Sequence, residues 1–402
     1  MGNVDHNHSH KLEVGTYVVS QKLKGIMFSF ILIGLLTLVV GYVVDKERIW
    51  QSFLTNFFYF TSLALGGLFF TAIQYVTKAG WSAGVRRVFE SLTAFLPVAL
   101  VAAIVIIAFG SHSLFEWLHT DVVNADPILK GKQGYLNMPF FAIRTVVFFA
   151  IWMLFQKLIV GNSLKQDKTG DESLTHKNVS LSVGFLILFA LTYSLFSIDF
   201  VMSLHPHWFS TMFGVYTFAG LFQASLSLIT IIVIKLMDKG LVKGFVTEEH
   251  LHDLGKFMFA FTVFYAYIAF SQFMLIWYAN LPEETIFYAH RAHGGWMAVS
   301  FSLLIFKFVV PFLMLLPRGA KRDKGHLVRV GCLILIMQWV DIYWLVYPNF
   351  NEGHVVFSYQ EVGLFLGFLG LFIFTVTKFL SKNSLVAIKD PYIHESNHHH
   401  VL

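Results

Sequence analysis

The chain has 402 residues, of which 56% are hydrophobic, 17% aromatic and only 13% charged, with a formal net charge of +5. A soluble domain carries about 25% charged residues, so an ordinary soluble protein is excluded, and the 44 phenylalanines point the same way. A hydrocarbon core of ~30 Å takes about 20 apolar residues per helical crossing, and ten runs of that length follow one another.

A polar tail, 1–24, carries His6, His8 and His10 and precedes a first apolar run at 25–44 and a second at 53–76. Arg86, Arg87 and Glu90 introduce the third, 88–109, and the loop after it holds Glu116, His119, Asp121 and Asp126. Arg144 lies about one turn into the fourth, 139–160, and Asp199 closes the fifth, 179–200. Pro206 with His205 and His207 makes the shortest break in the chain, since proline tends to end helices, and Trp208 opens the sixth run, 208–236. The seventh, 257–280, is followed by His290, Arg291 and His293, the last at the start of the eighth, 293–316, which contains Lys307. Asp341 sits in the ninth, 327–347, about two turns from its end. The tenth, 360–380, starts beside Glu361 and carries Gly363, Gly367 and Gly370 before a tail at 381–402. Outer-membrane barrel strands are ~10 residues long and alternate; these runs do neither. The chain reads as an all-α integral membrane protein with about ten transmembrane helices. No cleavable leader is expected, because the first 20 residues are polar and the first apolar run is long enough to span.

Lysine and arginine set the expected orientation. Counted over alternate loops from the N-terminal tail, 22 of the 29 fall on the side of both termini and five on the other, with Arg144 and Lys307 left inside runs. Both termini are therefore expected on the cytoplasmic side of the membrane. The net charge is mostly this topogenic signal, with anionic lipid as a further contact and no nucleic-acid patch.

The single cysteine, Cys332, excludes iron–sulfur and c-type haem ligation by this chain alone; it reads as core filling. Every histidine falls in a tail, a loop or a helix end, which argues against a haem between facing helices. No metal ligand set and no cofactor of the chain's own is expected.

Ionisable residues in a membrane are costly, and each raises a functional question. Arg144 reads as an interhelical ion-pair partner for Asp199. Asp341 needs a proton or a hydrogen-bond partner, as a structural group or a relay. Lys307 either snorkels along its own helix or lines a proton path. Glu90 reads as an ion pair with Arg86 and Arg87. Trp117, Trp208, Trp277, Trp296 and Trp344 are expected in an interfacial belt, and the glycines of the last run against another helix or subunit.

Three stretches, "SIDFVMSLHPHWFSTMFGVYTFAG" (197–220), "WYANLPEET" (277–285) and "KDPYIHES" (389–396), resemble the NrfD/PsrC-like membrane subunits of quinone-linked redox complexes, and within them the ActF-type subunits of alternative complex III, a quinol:cytochrome c oxidoreductase. The resemblance implies two four-helix bundles, spans 2–5 and 6–9, flanked by spans 1 and 10. It also implies a bacterial inner membrane, and a sister ten-span quinol-binding subunit, an iron–sulfur subunit and haem c subunits as partners, with menaquinone as the quinone. Asp199 stands where the family has its aspartate. The sister's Gly-Trp-His run is replaced here by His207-Trp208-Phe209.

The expected function is a proton path or quinone-binding element in such a complex. Asp199, Asp341 and Arg144 are the relay candidates, and His205, His207, Trp208 and His293 the candidate quinone surroundings. The alternatives are a secondary transporter, disfavoured because the ionisable groups crowd one rim, and a structural membrane scaffold.

Overall fold

A computed structural model describes residues 14–400. Ten helices in it are long and apolar enough to cross a membrane. They are α1 (Gln21–Val44), α2 (Lys46–Val76), α3 (Arg86–Leu114), α4 (Met138–Thr169), α5 (Ser173–Leu204), α6 (Phe213–Asp238), α7 (Glu248–Ala279), α8 (Gly295–Leu315), α9 (Lys324–Asn349) and α10 (Tyr359–Lys382). No strand occurs among the described residues. The chain is a multi-pass all-α membrane protein. The tail histidines His6, His8 and His10, with the rest of 1–13 and residues 401–402, lie outside the described residues.

Several helices run past the expected apolar stretches. α2 starts at Lys46 rather than 53, and α7 at Glu248 rather than 257. Polar first turns belong to these helices because they are capped: Asp45 Oδ1 accepts from Arg48 N at 3.1 Å, and Thr247 and His250 form a capping box. Hydropathy sees only the part in hydrocarbon. Two starts are later than expected: α8 begins at Gly295, two residues late, and α6 at Phe213 and not at Trp208. Residues 205–212 turn instead, and Trp208 lies flat on Phe287, 4.1 Å between centroids.

α2 to α5 form one four-helix bundle and α6 to α9 a second; they meet along α2, α5, α6 and α9. α2 is enclosed on all sides, with 94% of its most apolar stretch buried. That explains why it tolerates Ser52, Thr55, Asn56, Ser62 and Thr71, all buried: their hydroxyls and amides bond neighbouring carbonyls or side chains, as lipid cannot. α1 and α10 pair outside the bundles. A Cβ on Gly34 would lie 2.4 Å from Gly367 Cα, so the two backbones touch through glycine. Gly363 meets Thr37, and Gly370 the Met27 carbonyl. The expected partner of the glycine face is thus α1.

Both described chain ends lie on one face, where Gly15 N donates to Leu241 O at 3.1 Å. The segment after α10 is folded onto this face, burying Leu385, Val386 and Ala387. Below it is called the terminal face.

Cys332, expected in the core, is exposed on α9, and the tryptophans correct the belt reading. Only Trp277 is exposed; Trp117, Trp208, Trp296 and Trp344 are buried in protein. Trp208 Nε1 donates to Glu284 O, Trp296 Nε1 to Asn351 O and Trp344 Nε1 to Ser300 Oγ. The first two bonds pin a loop to a helix end, and the third joins α9 to α8.

Candidate functional site

Midway along α8 the helix widens into a π segment, Leu303–Val309. Pro311 has no N–H for the carbonyl four residues back, which is that of Lys307. Gln223 Nε2, from α6, donates to that carbonyl at 3.3 Å. π segments inside α-helices gather at functional sites. This one turns Lys307 inward, with no exposed surface at all.

Lys307 Nζ donates to Asp341 Oδ2 at 2.6 Å and to Gln338 Oε1 at 2.7 Å, and sits 3.7 Å from the centre of the Tyr265 ring. Asp341 Oδ1 accepts from Tyr216 Oη at 2.5 Å, and Tyr216 Oη lies 3.0 Å from Tyr265 Oη. Asp341 is therefore not a lone carboxyl, and Lys307 does not snorkel. Each cancels most of the other's burial cost, which for an isolated ion is prohibitive. Helical spacing assembles the site. Gln338 and Asp341 share a face of α9, three apart; Tyr216, Gly220 and Gln223 share a face of α6, four and three apart. Gly220 makes room, since a Cβ there would lie 2.6 Å from Gln338 Oε1. Lys307 is twelve residues into α8, ~18 Å at 1.5 Å per residue, so the pair lies near the middle of the membrane.

Between this pair and the face opposite the termini stands Arg291, buried, with no carboxylate partner among the described residues. It donates to the carbonyls of Phe287 (2.9 Å), Trp344 (3.1 Å) and Leu345 (3.0 Å). The last two belong to the final turn of α9, the end of a helix that favours a cation. Burial pulls the guanidinium down to about 9 and pushes the neighbouring Tyr288 phenol up to about 12. Tyr288 Oη lies 3.5 Å from Gln272 Nε2, two turns along α7 from Tyr265.

The first bundle holds Arg144 and Asp199. Arg144 Nε and Nη2 grip both carboxylate oxygens at 2.8 and 3.0 Å, and Nη1 donates to Tyr135 O at 2.9 Å. This is the interhelical pair expected from sequence, and the two-pronged grip on Asp199 is that of a clamp. Asp341 lies in the other bundle, so the three relay candidates fall into two separate places.

The candidate quinone surroundings are also divided. His205 and His207 are 6.2 Å apart between ring centres, and His290 is 5.9 Å from His205. His205 Nδ1 is buried without a partner among the described residues, and burial and the nearby His290 keep this imidazole below its usual value. His207 Nε2 pairs with Asp126 in the loop before α4, and that hydrogen bond holds the Asp126 carboxyl below its usual range. Trp208 is committed to Phe287 and Glu284. His293 is exposed and bonded by Nδ1 to Ala289 O at 2.6 Å. Glu361 joins Arg48 by two 3.0 Å bonds and accepts from Tyr347 Oη at 2.7 Å, tying α10 to α2 and α9.

Sequence reasoning missed Tyr216, Tyr265, Gln338 and Gln223. The available signal was Pro311 four residues after an in-span lysine, with polar residues of α6 repeating on one face. Compared with known proteins, the chain matches no family model and no curated protein.

Proposed function

We propose that the chain is a proton-handling membrane subunit of a quinol-oxidising respiratory complex, of the ActF type of alternative complex III. The supporting observation is the Tyr216–Asp341–Lys307 chain at mid-membrane. All three groups carry exchangeable protons. A proton passing from Lys307 Nζ to Asp341 turns an ion pair into two neutral groups without moving a heavy atom far, and Tyr216 and Tyr265 extend the chain. Asp341 is the proton carrier of this reading, with Asp199 held by Arg144 in a positioning role beside the face opposite the termini.

The resemblance at 197–220, 277–285 and 389–396 supplies the setting: a bacterial inner membrane, a terminal face in the cytoplasm, a sister quinol-binding subunit, an iron–sulfur subunit and haem c subunits. The bias of lysine and arginine supports the orientation. The quinol-facing part of the reading rests on His205, whose partnerless imidazole nitrogen suits a quinol hydroxyl. The test is Lys307→Met and Asp341→Asn in the purified complex. Quinol-dependent cytochrome c reduction and the protons released per electron are both measured. The expected result is assembly with normal pigments and at least a tenfold fall in turnover or a lost share of released protons. Normal turnover with normal proton release in both variants overturns it.

A further inference from the structure

The first bundle buries a second group of charges at the terminal face, far from any quinol-facing residue, and its charge does not balance. Arg87 Nη1 contacts Glu90 Oε2, Arg87 Nη2 lies 2.6 Å from Asp167 Oδ2, and Arg86 Nη1 contacts Asp390 Oδ2. Two guanidinium groups thus face three carboxyls. Arg86, Arg87 and Glu90 are almost wholly buried, and Asp390 nearly so. Among the described residues the remaining neighbours bring no charge: Ser163 Oγ accepts from Arg87 at 2.7 Å, and the Tyr75 ring lies 4.4 Å from the Arg86 guanidinium. Lys389, next to Asp390, turns away and donates to Lys168 O at 3.1 Å.

An uncompensated negative charge in such a place is strongly disfavoured. Donor count and burial together show where it is relieved. Both oxygens of Asp390 are used, by Arg86 and by Tyr392 N at 2.9 Å. Glu90 Oε1 and Asp167 Oδ1 each have no partner among the described residues. Asp167 lies at the rim with 12% of its side chain open, whereas the Glu90 side chain is fully enclosed, so Glu90 is the acid that bears its charge at the greater cost. Arg86 Nε and Arg87 Nε in the same group are also without partners among the described residues, which leaves polar atoms for ordered water to bridge.

The third carboxyl comes from outside the bundle. Asp390 belongs to the segment after α10, which is strapped over the terminal face. Ser396 Oγ accepts from Gly84 N at 3.0 Å, donates to Trp81 O at 2.8 Å and lies 3.0 Å from His250 Nε2. His399 Nε2 lies 2.6 Å from Asp253 Oδ2, which puts the strap on α7 of the second bundle as well. With the strap lifted, two arginines face two carboxylates and the group is neutral.

We propose that Arg86, Arg87, Glu90, Asp167 and the strap's Asp390 form a proton-holding site in which Glu90 carries the proton, so that docking the strap takes up one proton and lifting it releases one. This does not rest on the Lys307 reading, which concerns the other bundle. Coupling a loop's position to a proton needs only that the two states differ in proton count.

The experiment uses the full chain, in its complex or in detergent. Infrared spectra in H2O and D2O locate the carbonyl stretch of protonated carboxyls. The wild type shows a deuteration-sensitive band that is lost in Glu90→Gln, and lost again in Asp390→Asn, where two acids balance two arginines. A spectrum unchanged by Glu90→Gln overturns the site, and a band that survives Asp390→Asn overturns its link to the strap. A second reading covers a variant that folds poorly. Strap protection from a protease is followed above about pH 8, beyond the range in which free imidazole titrates. The docking equilibrium of the wild type weakens about tenfold per pH unit, and that of Asp390→Asn is flat. A flat wild type overturns the proposal.

Discussion

The side-chain amide of Gln223 on α6 serves the main-chain carbonyl of Lys307 on α8, 3.3 Å away, in place of the N–H that Pro311 lacks. The same amide also donates to Thr262 Oγ1 on α7 at 3.1 Å. One side chain therefore joins three helices of the second bundle at the level where Lys307 meets Asp341.

Gln223→Leu should leave both acceptors unserved in a site closed to water. An unserved buried polar group costs about 1–3 kcal/mol, and the thermal midpoint in detergent should fall accordingly. In a Pro311→Ala background the Lys307 carbonyl gains a helical donor, so the same substitution should cost less there. Strictly additive losses in the double-mutant cycle would show that the proline and the amide are not coupled.

The Lys307–Asp341 pair predicts a similar non-additivity on a larger scale. Lys307→Met strands a carboxylate and Asp341→Asn an ammonium group, both without exposed surface to speak of. Each single change should cost about 3–5 kcal/mol, because it leaves one buried charge uncompensated. The double variant should recover most of that loss. Thermal unfolding of the four proteins checks this, and a double variant as unstable as the sum of the singles contradicts the pair.

Glycine placement on the last helix gives a packing prediction. A Cβ at Gly367 would lie 2.7 Å from Gly34 Cα, a backbone atom that no side-chain rotation can move. Gly367→Ala must therefore push α1 from α10, and should cost about 1–3 kcal/mol as other overpacked contacts do. Gly25 on α1 has nothing within 4 Å of its would-be Cβ. Gly25→Ala should be neutral or slightly stabilising, given the higher helix propensity of alanine. Equal midpoints for the two variants would mean that α1 and α10 are not held by this contact.

These cases show what the sequence makes legible. Ten crossings were readable because hydrocarbon thickness sets a length, and the Arg144–Asp199 pair because two costly charges stood near the same ends of consecutive spans. Gly363, Gly367 and Gly370 announced a close helix contact but not its partner, since spacing carries no information about which helix lies opposite. Lys307 was visible as an anomaly, yet its direction was not. That direction depends on a π segment produced jointly by Pro311 in the same helix and Gln223 two helices earlier. Asp390, near the end of the chain, reads as a tail residue until folding brings it to Arg86.

Acid should loosen the loop 205–212. An unfolded or displaced His205 takes up a proton near its ordinary value of 6.5, whereas in the folded loop burial and the nearby His290, His207 and Arg291 hold it lower. The displaced state therefore binds more protons between these two values. Stability supplied by the neutral imidazole is present above pH 6.5 and is lost as pH falls through that window. Asp126, held below the usual carboxylate range by His207, stays charged throughout it and keeps its contact from the neighbouring loop. Backbone hydrogen exchange at 205–212 should accelerate, relative to the helical amides of α6, as pH falls from about 7 to 5. After the known effect of pH on intrinsic exchange is divided out, His205→Gln should abolish that excess. An excess that persists in His205→Gln would move the titrating group elsewhere, to His290 or His207.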